Sequence, residues 1–234
     1  MKQNNQKVSV IMPAYNSSHY VEESISSVLN QTHRNIELIV IDDGSTDETW
    51  TIINAWSERD DRIIAMRQKN QGVSAARNNA ISKSTGDFIA FCDSDDVWYA
   101  NKLERQLDTI GDAVWSHCDS QYVGLGYEDK TVYRSTYSHL YDENIFAHLA
   151  VENFITTSSL LIKSDIFKSF CGFDESLVAL EDWKLWLQIA KEHPIVLCNE
   201  VLLDYRVQPQ STSRNARSLL PVHLEILDET FNDE

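Results

Sequence analysis

The chain has 234 residues, of which 42% are hydrophobic, and its 20 basic and 36 acidic residues give a formal net charge of −16. This composition suits a globular domain with a full core. The acidic field repels nucleic acid and anionic lipid headgroups, so nucleic acid is excluded as a partner and membrane contact is at most weak and peripheral. Apolar runs shorter than ~18–20 residues, a polar start and four scattered cysteines predict a cytoplasmic protein with reduced thiols.

The first hundred residues alternate short apolar runs with amphipathic ones. The runs KVSVIMPAYN, IELIVIDDGS, RIIAMRQ and DFIAFCD predict four strands, the first from Val8 to Met12 and ended by Pro13. The stretches between them have helical spacing, and the residues from Ser45 to Glu48 have the pattern of a capping box. Three strand–helix–strand units predict an α/β fold, with a doubly wound and mainly parallel central sheet flanked by helices.

The pattern changes after residue 100. A helix is predicted around Leu103–Ile110, a strand in DAVWSHCDSQYV, a helix around Trp183–Lys191 and a strand pair in IVLCNEVLLDYRV, so this half contains a smaller antiparallel part. Five of the nine tyrosines lie between Tyr122 and Tyr141. Because no linker interrupts the chain, we predict a single domain over 1–234, divided into 1–100, 101–221 and an acidic tail at 222–234.

Ligands of open parallel sheets lie beyond the carboxyl ends of the strands. The loops that follow the four predicted strands are therefore the candidate site. The first of them contains Pro13 and Tyr15 in place of the Gly-x-Gly-x-x-Gly pattern of a dinucleotide site, which argues against that class of ligand. The last contains Asp93-Ser94-Asp95-Asp96.

This acidic loop suits a hard divalent cation. In an extended Asp-x-Asp segment, the carboxylates of Asp93 and Asp95 point to the same side. Magnesium and manganese take one or two such ligands and complete their shell with substrate phosphates. The alternative is a solvated acidic turn, and Asp96 also suits the N-cap of the following helix.

Five segments resemble glycosyltransferase family 2, which has the GT-A (Rossmann-like) fold. They are VSVIMPAYN, IELIVIDDGSTDET, NQGVSAARNNAI, TGDFIAFCDSDDVW and LEDWKLW, in the order and at the separations typical of the family. The resemblance covers nearly the whole chain. It implies an inverting, metal-assisted transfer of one sugar from a UDP-sugar to a hydroxyl of a saccharide acceptor, with a lipid-linked saccharide as one form. The implied setting is bacterial surface-polysaccharide assembly.

The resemblance also implies roles for residues of the first half, which becomes the nucleotide-sugar half. The uracil ring would lie against Tyr15, and Asp43 would accept a hydrogen bond from its imide N–H. Arg77 would reach the base or a phosphate. The remaining expected contacts are Pro13 and Ala14 with the nucleobase, Asp93 with the ribose or the metal shell, and Asp95 with manganese or magnesium directly.

In the second, acceptor-binding half, Asp182 matches the family's catalytic base, which takes the proton of the acceptor hydroxyl. Adjacent helical residues point about 100° apart, so Glu181 and Asp182 cannot both face the sugar. We assign Glu181 and Trp183 to the acceptor side, with a helix-dipole role for the acids and a core position for Trp183 as the alternatives. Gln208 stands where many family members carry a metal-binding histidine.

Two other functions remain open from the sequence alone. A sugar nucleotidyltransferase shares a related sheet but is expected to have a basic, glycine-rich loop after its first strand, which PAYNSSHYVE is not. A non-catalytic nucleotide-sugar-binding protein would not need Asp182. The tail has five acidic residues and no Lys or Arg, so it is not a typical membrane anchor. A lipid-linked acceptor would nevertheless place the protein at the inner face of the cytoplasmic membrane.

Overall fold

A computed structural model describes residues 5–124, 131–132, 145–208 and 216–232. The strands of the described residues are β1 (Val8–Ala14), β2 (Ile36–Asp42), β3 (Ile63–Arg67), β4 (Phe88–Phe91), β5 (Val97–Trp98), β6 (Trp115–Gly124), β7 (Thr131–Val132), β8 (Leu161–Lys163) and β9 (Val196–Val207). The helices are α1 (Val21–Leu29), α2 (Thr49–Ser57), α3 (Val73–Lys83), α4 (Lys102–Ile110), α5 (Ile145–Val151), α6 (Ser164–Ser169), α7 (Glu181–Glu192) and α8 (Ala216–Asn232).

All these strands belong to one sheet, in the order β3-β2-β1-β4-β8-β6-β9-β5, with β7 beside β6. Strands β3, β2, β1 and β4 are parallel to one another. Strand β8 is antiparallel to both β4 and β6, whereas β9 is parallel to β6. The predicted α/β class, with a mainly parallel sheet and a smaller antiparallel part in the second half, is confirmed. Strands from both predicted halves share this sheet, because β4 pairs directly with β8.

Helices cover both faces of the sheet. In β1, Val10 and Met12 join a core cluster with the apolar residues of α1 and α4. Ile11, between them, joins a second cluster with α3, α5 and α7. Successive strand residues face opposite sides, so a strand that is buried on both faces is apolar throughout. This explains why the predicted strands read as nearly continuous apolar runs.

Strand β1 continues through Pro13, beyond its predicted end at Met12. The N–H of Cys92 donates to the carbonyl of Ile11 at 3.0 Å, and the N–H of Asp43 donates to the carbonyl of Ala14 at 2.8 Å. The backbone N–H and carbonyl groups of the odd-numbered residues of β1 therefore point toward β4. Pro13, which has no N–H to donate, faces the side on which β4 has already ended, so no ladder bond is lost. The two strands separate at this point, and the crevice between them is the expected ligand position.

Three local predictions are wrong. Helix α2 begins at Thr49, and its first turn is held by Asp47, whose Oδ1 accepts the Thr49 N–H at 3.0 Å, rather than by a box of Ser45 and Glu48. The predicted strand pair near the end is one strand, β9, with register shifts against β6. Asp96 precedes β5, not a helix; Asn101 stands at the N-cap of α4.

The predicted start of the acidic tail, at residue 222, falls inside helix α8, which runs from Ala216 to Asn232. Ile226 of this helix is fully buried, and the His223 ring stacks on Trp183 with a centroid distance of 4.1 Å. Most of the tyrosine-rich segment lies outside the described residues. None of the helices in the described part of the chain is long and apolar enough to span a bilayer.

Candidate active site

The loops after β1, β2 and β4 are joined at one rim of the sheet. The N–H of Asn16 donates to Ser45 Oγ at 2.9 Å, and the Thr46 N–H donates to Asn16 Oδ1 at 2.8 Å. The hydroxyl oxygens of Ser17 and Ser94 lie 2.7 Å apart. Asn16 has a φ of +49°, a left-handed conformation that Asn tolerates better than most residues. The polar loops that follow the predicted strands are therefore brought together.

Tyr15 has the most accessible side chain among the predicted nucleobase contacts. It is 50% exposed, whereas Ala14 is 2% exposed and Pro13 is buried within β1. Of these three residues, Tyr15 therefore offers the ring surface on which a base stacks. The contacts of all three with a nucleobase remain predictions.

Asp43 fixes the loop between β3 and α3. Its Oδ1 accepts from Gln68 Nε2 at 2.8 Å and from the Gln71 N–H at 2.9 Å, and its Oδ2 accepts from the Gly72 N–H at 2.8 Å. The carboxylate thus lies at the N-terminus of α3, where a negative charge is favoured. Asp43 is 3% exposed. The predicted bond to a uracil imide stays a prediction, and the loop-holding role is an addition to it.

The acidic loop alternates in burial. Asp93 and Asp95 are half-buried, whereas Ser94 and Asp96 are buried, so Asp93 and Asp95 are the partly accessible acids of the loop. Ser94 is turned inward to Ser17. The segment is nevertheless not extended, because the Asp96 N–H donates to the Asp93 carbonyl at 3.1 Å and closes a turn. The prediction of an extended Asp-x-Asp segment is therefore wrong, although both carboxylates remain partly accessible.

Arg77 connects Asp93 to the start of α7. Its Nη2 donates to Asp93 Oδ1 at 2.8 Å and its Nη1 donates to Glu181 Oε1 at 2.7 Å, and the guanidinium lies over the Phe173 ring. Arg77 is only 4% exposed. In this arrangement the guanidinium positions Asp93 and Glu181. The direct contact of Arg77 with a base or a phosphate remains a prediction.

Asp95 is held by residues at the end of β9. Gln208 Nε2 donates to Asp95 Oδ2 at 2.5 Å, and Arg206 Nη1 donates to the Asp95 carbonyl at 2.9 Å. Burial, and next the charge of Asp93, raise the pKa of Asp95. The position at which many family members have histidine thus lies beside this carboxylate.

Asp96 has a structural role. It is 1% exposed, and it accepts from Ser158 Oγ at 2.5 Å and from the Arg206 N–H at 2.9 Å. Burial, followed by the charges of Asp95 and Asp93, raises its pKa well above the usual range. These contacts pin the acidic loop to the second half of the chain.

The residues present fit a magnesium or manganese ion that binds together with a diphosphate. Within the described ranges, no group of three or more His, Cys, Asp or Glu side chains is arranged to hold a metal ion. Asp93 and Asp95 nevertheless supply two partly accessible carboxylates in one short loop, and each ion of this type usually takes one or two from the protein. Burial, and next the charge of Asp93, raise the pKa of Asp95, and a nearby cation would favour its ionised form.

Asp182 lies in the first turn of α7, next to Glu181, which is the partner of Arg77. Its Oδ2 accepts from Thr157 Oγ1 at 2.8 Å, and its Oδ1 accepts the Trp183 N–H at 2.6 Å. Burial and the neighbouring Glu181 charge raise the pKa of Asp182 to about 6, while Arg77 and the Thr157 hydroxyl act in the opposite direction. A carboxylate with a pKa near neutral is suited to accept a proton.

The two residues assigned to the acceptor side, Glu181 and Trp183, have little exposed surface, and their acceptor contacts remain predictions. The Glu181 side chain is 11% exposed, and its carboxylate is paired with Arg77. Trp183 is fully buried, and its Nε1 donates to the Leu149 carbonyl at 2.7 Å, so it belongs to the core. The expectation that Glu181 and Asp182 point in different directions is consistent with this geometry.

Thr157 and Ser158 contact both parts of the site and were not predicted. They lie in a 3₁₀ turn, Thr157–Ser159, just before β8. The run of four hydroxyl residues in ITTSS was the available signal, but hydroxyl residues are common at turns and strand ends, and their partners are distant in sequence.

Two solved structures with a similar fold were each determined in complex with a nucleotide-sugar. The chain aligns with S. aureus TarS 1-349 in complex with UDP-GlcNAc at a TM-score of 0.77 and 21% identity, covering 97% of this chain and 67% of that one. It aligns with mannosyltransferase PcManGT from Pyrobaculum calidifontis, in complex with GDP-Man and Mn2+, at a TM-score of 0.75 and 19% identity, covering 98% and 65%. At these identities the likeness establishes the fold.

The sequence family is also established. The family model of Glycosyl transferase family 2 matches residues 9–168, and the chain belongs to this family. It is 32% identical over 232 residues to the Escherichia coli UDP-Glc:alpha-D-GlcNAc-diphosphoundecaprenol beta-1,3-glucosyltransferase WfgD, covering 95% of this chain and 85% of that protein. It is 35% identical over 204 residues to an uncharacterized glycosyltransferase of Rickettsia conorii, covering 87% of this chain. The chain spans 33% of that longer relative, about a third of its length.

Proposed function

We propose that this chain catalyses the inverting transfer of a single sugar from a UDP-sugar to a saccharide hydroxyl, with a divalent metal ion as cofactor. The observation that carries the proposal is the link through Arg77, which joins Asp93 of the acidic loop to the helix turn that contains Asp182. One rim of the sheet therefore holds a group for the leaving diphosphate and a group for the incoming hydroxyl. An inverting transfer needs both, on opposite sides of the sugar.

On the donor side, Tyr15 offers its exposed ring to the uracil and Asp43 its carboxylate to the imide N–H. Asp93 and Asp95 would hold manganese or magnesium. Such an ion, when bound, supplies positive charge that stabilises the departing diphosphate. Gln208 keeps Asp95 oriented through the 2.5 Å hydrogen bond between them.

On the acceptor side, Asp182 takes the proton of the attacking hydroxyl. Its raised pKa strengthens it as a base while leaving it largely ionised at neutral pH. The hydrogen bonds from Thr157 and from the Trp183 N–H hold the carboxylate in one orientation. Glu181 does not compete for the proton, because it is bound to Arg77.

A lipid-diphosphate-linked saccharide is the acceptor class that we favour. The name of the E. coli relative specifies an acceptor of this type, and the match to that relative covers 95% of this chain. Such an acceptor would bring the reaction to the cytoplasmic face of a membrane, in cell-surface polysaccharide assembly. The donor sugar and the linkage are left to experiment.

A donor screen with two variants tests the proposal. Thermal melts with Mn²⁺ and a panel of UDP-sugars and GDP-mannose should reveal a stabilising donor, since a ligand at 100 times its Kd adds about 2.7 kcal/mol. Asp95→Asn should lose metal-dependent UDP binding. Asp182→Asn should keep that binding but lose transfer by ~10²-fold or more. If the wild-type chain with Mn²⁺ neither bound nor turned over any nucleotide-sugar, the proposal would be wrong.

The same preparations separate the two alternatives. Pyrophosphate released from a sugar phosphate and a nucleoside triphosphate would indicate a nucleotidyltransferase. Donor binding with no transfer, and with no difference between wild type and Asp182→Asn, would indicate a non-catalytic binding protein.

A further inference from the structure

The 3₁₀ turn Thr157–Ser159 lies between the acidic loop and the base. Adjacent residues of this turn touch the two sites: Thr157 contacts Asp182, and Ser158 contacts the loop of Asp93 and Asp96. The three residues of the turn are buried. The turn therefore joins the donor side of the site to the acceptor side.

Thr157 donates to the base directly. Its Oγ1 lies 2.8 Å from Asp182 Oδ2, and Thr157 is 6% exposed, so water does not readily replace the hydroxyl. The other oxygen, Oδ1, accepts the Trp183 N–H at 2.6 Å, and Asn153 Nδ2 lies 3.4 Å from it, which is a weak contact by comparison. A buried hydrogen bond to a carboxylate fixes the direction in which its remaining lone pairs point.

Ser158 makes three hydrogen bonds, two with the acidic loop and one with Trp98 of β5. Its hydroxyl donates to Asp96 Oδ2 at 2.5 Å and accepts the Asp93 N–H at 3.0 Å. Its carbonyl accepts from Trp98 Nε1 at 3.0 Å. A displacement of the acidic loop would therefore move Ser158, and with it the neighbouring Thr157.

The turn itself is fixed to the sheet. Ser159 Oγ donates to the Thr156 carbonyl at 2.6 Å, and Gln106 Nε2 of α4 donates to the Ser159 carbonyl at 2.9 Å. Strand β8 follows immediately and pairs with β4, the strand that leads into the acidic loop. The turn thus moves with the central sheet, whereas α7 contacts it through the side chains of its first turn.

We propose that Thr157 is a positioning residue for the base Asp182, and that the Thr157–Ser158 pair sets the spacing between this base and the diphosphate-binding loop. This inference rests on the proposed function of Asp182. Thr157 does not touch the reacting atoms. It holds the carboxylate that does, and Ser158 ties the same turn to the groups expected to hold the diphosphate.

The charge environment of Asp182 determines how Thr157 can be tested. Burial and the charge of Glu181 raise its pKa, while Arg77 and the Thr157 hydroxyl lower it. Arg77 also faces Asp93, so a change at Arg77 would disturb both sites at once. Thr157→Val removes the hydroxyl with little change of shape and leaves these charges in place.

The experiment compares Thr157→Val with Thr157→Ser and with Thr156→Val. Among the described residues, the Thr156 hydroxyl makes a long 3.5 Å contact with Ser120 and none with a carboxylate, so the same substitution one residue earlier is the matched control. The assay follows UDP released from UDP-glucose or UDP-N-acetylglucosamine with Mn²⁺ across pH 5–9. In Thr157→Val, the acid limb of the pH profile of kcat/KM should move to higher pH by about one unit. At pH values below this limb, activity should be up to tenfold lower than in the wild type.

The expected pattern has three further parts. Thr157→Val should keep the Kd for UDP with Mn²⁺ within about twofold, because the donor side is untouched, so the loss should appear in kcat. Thr157→Ser should restore the profile, and Thr156→Val should resemble wild type. A Thr157→Val profile that superimposes on the wild type, or a uniform loss at every pH that Thr157→Ser does not rescue, would overturn the inference.

A measurement without turnover separates this inference from the proposed function. In protein labelled with ¹³C at aspartate carboxyls, the Asp182 resonance is identified by its absence from Asp182→Asn. Its titration midpoint should rise in Thr157→Val and return in Thr157→Ser. An unchanged midpoint refutes the positioning role even if transfer is detected. A shifted midpoint in a chain that transfers no sugar supports the contact and refutes the proposed function alone.

Discussion

Replacing Asp182 by Asn should stabilise the protein while removing its transfer activity. Burial and the charge of Glu181 raise the pKa of Asp182 from 3.8 to about 6. A pKa difference of one corresponds to about 1.36 kcal/mol between the two protonation states, so the ionised carboxylate costs at most about 3 kcal/mol of folding free energy. Because the side chain is half-buried and partly screened, we expect a gain of about 1–3 kcal/mol.

The sign of this effect depends on pH. The pKa of Asp182 is higher in the folded state, so the folded protein binds more protons between pH 3.8 and about 6, and its stability falls as pH rises through that window. The penalty is complete above about pH 6 and absent below pH 3.8. The difference between Asp182→Asn and wild type should therefore be largest at about pH 7–8 and close to zero near pH 4.

Thermal melts at several pH values check this prediction. For a chain of this length, 1 kcal/mol corresponds to roughly 2–4 °C in Tm. Asp174→Asn is a control of opposite sign, since hydrogen bonds from Lys184 and Ser176 lower the pKa of Asp174 to about 2, and its loss should destabilise the protein at neutral pH. If Asp182→Asn melted at or below the wild-type temperature at about pH 8, the carboxylate would not carry the energetic cost inferred from its surroundings.

Three further predictions concern the donor side. Arg77→Met leaves Asp93 and Glu181 without their buried counter-charge, and it should lower the free energy of unfolding by about 3 kcal/mol in chemical denaturation. Arg105→Met removes one partner of an exposed ion pair and should leave the denaturation midpoint unchanged. Equal midpoints for the two variants would show that water already screens the charges around Arg77. Gln208→His places an imidazole beside Asp95 and should tighten Mn²⁺ binding in the presence of UDP, as measured by calorimetry; weaker binding would argue against a metal at this loop. Tyr15→Ala should raise the Kd for UDP about tenfold or more, through a lost stacking contact of about 1–3 kcal/mol; an unchanged Kd would remove Tyr15 from the nucleobase site.

The residues whose surroundings differ from the sequence expectation have one physical cause in common. Arg77 follows a loop on the expected rim, which favours a nucleotide contact, yet its partner Glu181 is 104 residues away. The position of Asp96 favours a helix cap, a local role, but it is bound by residues 62 and 110 positions away. A charged side chain does not reveal its partner by spacing when that partner comes from another element. The burial of Trp183 likewise depends on α5 and α8, which its own helix does not reveal.

The sequence by itself determined the parallel half of the sheet, the loops at its carboxyl ends and the positions of Asp95 and Asp182. These features follow from patterns a few residues long: the two-residue period of strands, the periodicity of helices and the acidic residues placed directly after a buried strand. The tertiary structure decided which carboxylates are accessible, which are neutralised by Arg77, and that Thr157 and Ser158 connect the two parts of the site. The burial and the pairing of these side chains arise where elements from both halves of the chain meet at the rim. No local sequence pattern encodes the distances between residues that are far apart in sequence.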